Sequence, residues 1–281
     1  MTTTPLTWTV GRSTLAPYDL PLDHDPRGII YLYEPPSTRH EYVIAVDPTT
    51  GLPGWHRALR TRDDVKTDNA AIEVLRCGNP CVQVAEYAAP IDPEELATYV
   101  NALGRIYSGS NEDGMAHCII EVHPGLGLLT QRQLISHYGY TNMFVWRYED
   151  SLLPKASTKL GWYSTRDSRK MLWIRGSRHI QQGRAKVHSQ HLVEEMADCT
   201  PDNFLAATGR ATGYGVHDDR VVAFLLGLWA ANEWSMSLEP VEPQGVEDGN
   251  AKKADFQATD ISADDIPDRW NERFEELLDG R

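Results

Sequence analysis

The sequence contains no run of about 18 consecutive apolar residues, which excludes a helix that spans a bilayer in the usual way. Its N-terminus shows neither the basic nor the apolar segment of a secretory signal, so the expectation is a protein that stays in the cytosol and meets no membrane. Cysteine is scarce. Cys77, Cys81, Cys118 and Cys199 are too few and too scattered among 281 residues for a disulfide framework, and they read as reduced thiols. Cys77 and Cys81 frame the turn-forming segment CGNPC, which reads as a hairpin tip or half of a zinc site. With no second Cys or His pair at matching spacing, the turn is the preferred reading. A phosphate-binding loop (a glycine, four residues, then Gly-Lys and Ser or Thr) is also missing. The stretch GSRHIQQGRAK at 176–186 lacks that spacing, so no ATPase motor of that kind is expected in this chain.

What is present describes a folded protein. Apolar residues make up 41% and charged residues 24%, which rules out global disorder and suits one substantial α/β domain with extensions. The formal net charge of −13 argues against nucleic acid as a partner, because phosphate contacts need Lys and Arg. Its distribution changes that conclusion. Residues 147–186 hold ten Lys or Arg against three acids, whereas residues 239–281 hold five against thirteen.

Along the chain, residues 1–29 carry Pro5, Pro17, Pro21 and Pro26 and read as an irregular arm. A short strand IYLYE at 30–34 is stopped by Pro35 and Pro36. YVIAVD at 42–47 is a β-branched apolar run and the clearest candidate for a central strand buried on both faces. AAIEVLR at 70–76 and VQVAEYAA at 82–89 follow as an antiparallel hairpin. Asp92 then opens a helix in which Leu96, Tyr99, Val100, Leu103 and Ile106 recur at helical spacing. A strand CIIEVH at 118–123, a helix over 128–138 and a strand over 143–147 come next. The order of three strands, helix, strand, helix, strand argues for a mixed sheet and suits the ribonuclease H-like fold.

Beyond that lie a basic helix over 169–182, a short strand at 185–189, a helix over 190–198 and an apolar helix over 217–234. The expected organisation is therefore an arm (1–29), an α/β domain (30–237) and an acidic linker with a terminal helix (238–281). In that terminal helix Ile266, Trp270, Phe274, Leu277 and Leu278 share one face, for packing on the core or docking to a partner.

Carboxylates stand in costly places. Asp47 ends a buried strand, Glu121 lies inside another, and Asp218 and Asp219 open an apolar helix. Each needs a cation, a basic partner or hydrogen bonds, although Asp47 before a proline and Asp218 at a helix start also have purely structural readings. Mg²⁺ and Mn²⁺ take hard oxygen ligands, and two such ions roughly 4 Å apart serve phosphodiester hydrolysis. Because adjacent helical residues point in different directions, Asp218 is preferred over Asp219 as a ligand.

The segments YVIAVDP (42–48), IIEVHPGLG (119–127) and HDDRVVAFLLGLWA (217–230) resemble, in order and spacing, the three acidic motifs of the nuclease domain of tailed-bacteriophage large terminase subunits. IYLYEPP, TDNAAIEVL (67–75), IDPEELATYVNALGRIY (91–107) and GWYSTRDSRKML (161–172) agree, so the resemblance spans about residues 30–235. It implies an α/β, ribonuclease H-like mixed β-sheet flanked by helices on both faces. It also implies a metal-dependent endodeoxyribonuclease that cuts concatemeric viral DNA with two Mg²⁺ or Mn²⁺ ions in the cytoplasm of the infected host cell. Asp47, Glu121 and Asp218 would be catalytic, with Asp219 a further metal ligand and Asp68 an accessory acid. His123, two residues after Glu121, would face the same side of its strand, and His217 precedes the double aspartate.

Double-stranded DNA, an ATPase motor on another polypeptide or segment, a small terminase subunit and a portal protein are the implied partners. Lys159, Arg166, Arg169 and Lys170 are the candidate phosphate contacts in the basic stretch. One departure is the insertion between Pro48 and Asp68, with Trp55, His56, Arg57, Arg60, Arg62, Asp63 and Asp64, where the family has a short glycine-rich turn. It reads as a solvated surface loop or a cover over metals and DNA. A Holliday-junction resolvase or ribonuclease H uses similar carboxylates and is the enzymatic alternative. A non-catalytic packaging scaffold that binds motor or portal is the alternative of another class.

Overall fold

The computed structural model describes residues 6–10, 22–24, 28–49, 69–122, 126–148, 157–206 and 218–238. The strands are β1 (Leu6–Val10), β2 (Leu22–His24), β3 (Ile30–Leu32), β4 (Tyr42–Asp47), β5 (Ala70–Arg76), β6 (Cys81–Ala89), β7 (His117–Val122), β8 (Val145–Tyr148), β9 (Ser157–Leu160), β10 (Trp162–Tyr163) and β11 (Ala185–Lys186). The helices are α1 (Pro93–Ile106), α2 (Leu126–Ser136), α3 (Arg166–Gln181), α4 (Gln190–Asp198), α5 (Pro201–Ala206) and α6 (Asp219–Leu238).

One sheet runs in the order β10-β7-β4-β5-β6-β3-β1-β2, with β11 also paired to β6. Strands β4, β7 and β10 are mutually parallel, while β5 runs antiparallel to both β4 and β6. This is the mixed sheet that the element order led us to expect, with helices on both faces. The alternation of side chains along a strand explains why YVIAVD is apolar throughout. Ile44 and Val46 face one core with Leu96, Val100 and Leu103 of α1 and Leu134 of α2. Val43 and Ala45 face the other, with Leu172 and Trp173 of α3 and Phe224 and Leu225 of α6. Asp92 caps α1, accepting from the backbone N–H groups of Glu94 and Glu95. CGNPC is the connection between β5 and β6, as its turn formers suggested, and burial pushes the Cys81 thiol up to about 12, so it stays neutral.

Two expectations need correction. Residues 1–29 are not irregular throughout, since β1 pairs with β3 and β2 pairs with β1, extending the sheet at its edge. The alternating β-branched segment LTWTV outweighs the prolines around it. The strand expected at 143–147 is not a continuous fifth strand either. Met143 bridges to Cys118, the chain then leaves as the β8–β9 hairpin, and it returns as β10, where Trp162 pairs with Glu121 and Tyr163 with Val122.

Candidate metal centre

Side-chain parity brings the acids together. Asp47 falls on the same face as Val43 and Ala45, and Glu121 on the same face as Ile119, so both project toward α6. Val46 lies opposite Ile120 in the parallel pair, which sets Asp47 and Glu121 one residue further along, at the C-terminal ends of neighbouring strands. One glycine closes the layers at this point, and a second, farther along the sheet, seats α6 on it. A Cβ at Gly127 would lie 2.1 Å from the Glu121 carbonyl oxygen, so only glycine lets α2 abut the end of β7 there. A Cβ at Gly227 would lie 2.5 Å from Leu75 Cδ1, so glycine seats α6 directly on the sheet.

The start of α6 supplies the other two carboxylates. The Asp218 carbonyl accepts from Val222 N at 2.8 Å, making Asp218 the N-cap and Asp219 the first helical residue. They straddle the helix boundary, and both act electrostatically on Asp47. Asp219 is 6% exposed and accepts from the backbone N–H of Asn69 at 3.4 Å. The helix N-terminus favours negative charge at this point.

Electrostatics mark this corner as strained. Burial first, then Glu121, then Asp219 and Asp218, hold the Asp47 carboxyl well above the usual carboxylate range. Ser164, just after β10, donates a hydrogen bond to Glu121 Oε1.

Arg169 lies between the strand acids and the helix acids. Its Nη1 is 3.3 Å from Glu121 Oε1 and its Nη2 is 2.7 Å from Asp218 Oδ2. Nε donates to the Phe204 carbonyl at 3.1 Å, and the guanidinium lies 4.6 Å from the Phe204 ring centroid. The side chain is 4% exposed. Arg169, expected on the DNA-facing surface, is therefore placed inside the acidic site.

The donor chemistry of Asp47, Glu121, Asp218 and Asp219 fits a hard divalent cation, since all are carboxylates and they converge from two strand ends and a helix start. Among the described residues, however, no three Asp, Glu, His or Cys side chains already stand as a group that could hold a metal ion. With Arg169 in place, the set is gathered without being arranged as a cage.

Of the other expected site residues, Lys159 is exposed on β9 with its ammonium 4.8 Å from the Tyr163 ring centroid. Arg166 is exposed in the first turn of α3, and Lys170 is half-buried one turn on. Asp68, His123 and His217 lie outside the described residues, as do the terminal helix at 266–278 and all but Thr49 of the insertion before Asp68.

A second buried polar group was not anticipated. Glu73 of β5 pairs across the sheet with Glu86 of β6, and both are fully buried. Gln83 Nε2 donates to Glu73 at 2.7 Å and to Glu86 at 3.3 Å, while its Oε1 accepts from the backbone of His188 and Ser189. Arg220 Nε donates to Glu86 at 3.0 Å, Arg220 Nη1 contacts Glu195, and Glu195 also accepts from the Arg220 backbone N–H at 3.0 Å. Glu195 of α4 thereby caps the first turn of α6, fixing where Asp218 and Asp219 start. The signal for this group was present in the strands, where Glu73, Gln83 and Glu86 interrupt apolar runs just as Glu121 does.

No family model matches the chain, and no curated protein matches it. Among solved structures, the large terminase nuclease from thermophilic phage G20c matches at 15% identity and a TM-score of 0.44, covering 73% of this chain and 90% of that chain. The same nuclease with bound zinc matches at 14% identity and a TM-score of 0.46, with the same coverage. With bound magnesium the values are 15% and 0.44, covering 72% of this chain and 88% of that one. The ribonuclease H-like reading of the fold rests on the strand order and directions of the sheet itself.

Proposed function

We propose that this chain is a divalent-metal-dependent DNA endonuclease of a phage genome-packaging terminase, cutting concatemeric double-stranded viral DNA in the host cytoplasm. The observation that carries the reading is the convergence of Asp47, Glu121, Asp218 and Asp219 at the C-terminal ends of β4 and β7 and the start of α6. The terminase motifs around these residues supply the substrate class.

Asp47, Glu121, Asp218 and Asp219 would hold Mg²⁺ or Mn²⁺, two ions in the full reading. The bound ions would supply charge for the scissile phosphate and lower the pKa of the attacking water. The residues of this chain do the rest. Ser164 fixes Glu121 by its hydrogen bond, Asn69 orients Asp219, and Glu195 holds the first turn of α6. Lys159, Arg166 and Lys170 lie in the basic stretch and would meet phosphates, which places no demand on base sequence. Cutting positions would then be set by partners: an ATPase motor, a small subunit and a portal.

A scaffold without catalysis is favoured by one observation, the internal neutralisation of Glu121 and Asp218 by Arg169. Purified protein and its Asp47→Ala variant, offered duplex DNA, a four-way junction and an RNA–DNA hybrid, separate the readings. Cutting of duplex DNA by the parent alone supports the terminase nuclease. Preference for the junction or hybrid supports a resolvase or ribonuclease H, and equal background from parent and variant supports the scaffold.

A further inference from the structure

Glu121 and Asp218 come from different elements, and a single guanidinium joins them. Arg169 is a permanent cation and a donor only, so every contact it makes with these carboxylates uses oxygen lone pairs that a metal would also need. Its stem comes from within α3 rather than from a surface loop, and Phe204 fixes its third direction through a carbonyl and a ring. Among the described residues, no three Asp, Glu, His or Cys side chains stand as a group that could hold a metal ion.

We propose that Arg169 is an internal cation that competes with a divalent ion for Glu121 and Asp218, so that the site takes up metal only as the guanidinium gives way. This rests on reading the four carboxylates as metal ligands. The competition also gives the acidic corner a means to fold without metal: the guanidinium holds together two carboxylates that would otherwise repel across the gap between β7 and α6.

Calorimetric titration of Mn²⁺ into the DNA-free protein tests this in the parent, Arg169→Gln, Arg169→Lys and Arg169→Gln combined with Asp47→Asn. Removing two charge-assisted bonds that compete with the ion is expected to tighten Mn²⁺ binding by about tenfold or more in Arg169→Gln. Arg169→Lys, a point charge that spans the two carboxylates poorly, is expected to fall between. Adding Asp47→Asn is expected to abolish the gain, which places the ion at this site.

Arg169→Gln binding Mn²⁺ no more tightly than a parent that does bind it would overturn the competition while leaving the metal reading standing. Failure of every protein to bind Mn²⁺ would overturn both. If circular dichroism shows Arg169→Gln unfolded, Arg169→Lys decides: tighter binding than the parent supports the proposal, and equal or weaker binding overturns it.

Discussion

Asp47 and Glu121 stand side by side at the ends of two parallel strands, one residue beyond the Val46–Ile120 pair, and the Glu121 charge adds to burial in holding the Asp47 carboxyl above its usual range. Two carboxyl groups held this way cost stability whenever both are charged. The Asp47→Asn variant removes one charge while keeping shape and hydrogen bonding. In metal-free buffer near neutral pH it is expected to melt at the same temperature as the parent or higher, while losing DNA cleavage. A calorimetric melt of both proteins checks this, and a clearly lower melting temperature would show that Asp47 has a structural role instead.

Glu73 provides a pH test away from the metal centre. Burial, then Glu86, hold its carboxyl well above the usual range. The native state therefore binds a proton that the unfolded state releases. Its contribution is present in full below the unfolded pKa of about 4.5 and is lost as pH rises through the raised folded value. Glu73→Gln, which cannot ionise, is expected to flatten the loss of stability between mildly acidic and alkaline pH. Denaturant melts of both proteins across that range measure it, and parallel pH profiles would contradict the assignment.

Arg220 links the fully buried Glu86 to the half-buried Glu195. Burial acts against its charge, but Glu86 and Glu195 more than offset this and raise its pKa above the ordinary arginine value. Arg220→Met leaves both acids without this partner and is expected to cost about 3–5 kcal/mol in denaturant unfolding. It should also reduce cleavage in whatever protein remains folded, because the first turn of α6 carries Asp218 and Asp219. A loss below about 1 kcal/mol would place the network among weak surface pairs.

Gly127 sets two effects against each other. Alanine there gains roughly 1 kcal/mol of helix propensity, yet its Cβ would meet the Glu121 carbonyl oxygen at 2.1 Å, a backbone atom that cannot rotate away. Overpacking of this kind typically costs about 1–3 kcal/mol, so the clash is expected to win. Gly127→Ala should lower both stability and cleavage; a more stable variant would mean that β7 yields without consequence.

Much of this architecture is legible from local hydrophobic pattern alone. YVIAVD, AAIEVLR and α4 fall where their patterns place them, because a strand buried on both faces and a capped amphipathic helix leave plain local signals. Asp47 and Glu121 stood out for a related reason, as charges inside runs built for burial. β10 was missed because two residues, Trp162 and Tyr163, are too few to show a period and are held by pairing with β7. Arg169 read as a surface charge because α3 is rich in Lys and Arg. No local pattern tells the buried guanidinium from Arg166 or Lys170, and only the fold brings Phe204, Glu121 and Asp218 around it.

The most direct test of the central claim is cleavage of supercoiled plasmid by the purified protein with EDTA, Mg²⁺ or Mn²⁺, beside Asp47→Ala and Glu121→Ala. The account predicts cutting that requires the divalent ion and disappears in both variants while their circular dichroism stays that of the parent. Cutting that persists in EDTA, or in either folded variant, would contradict it.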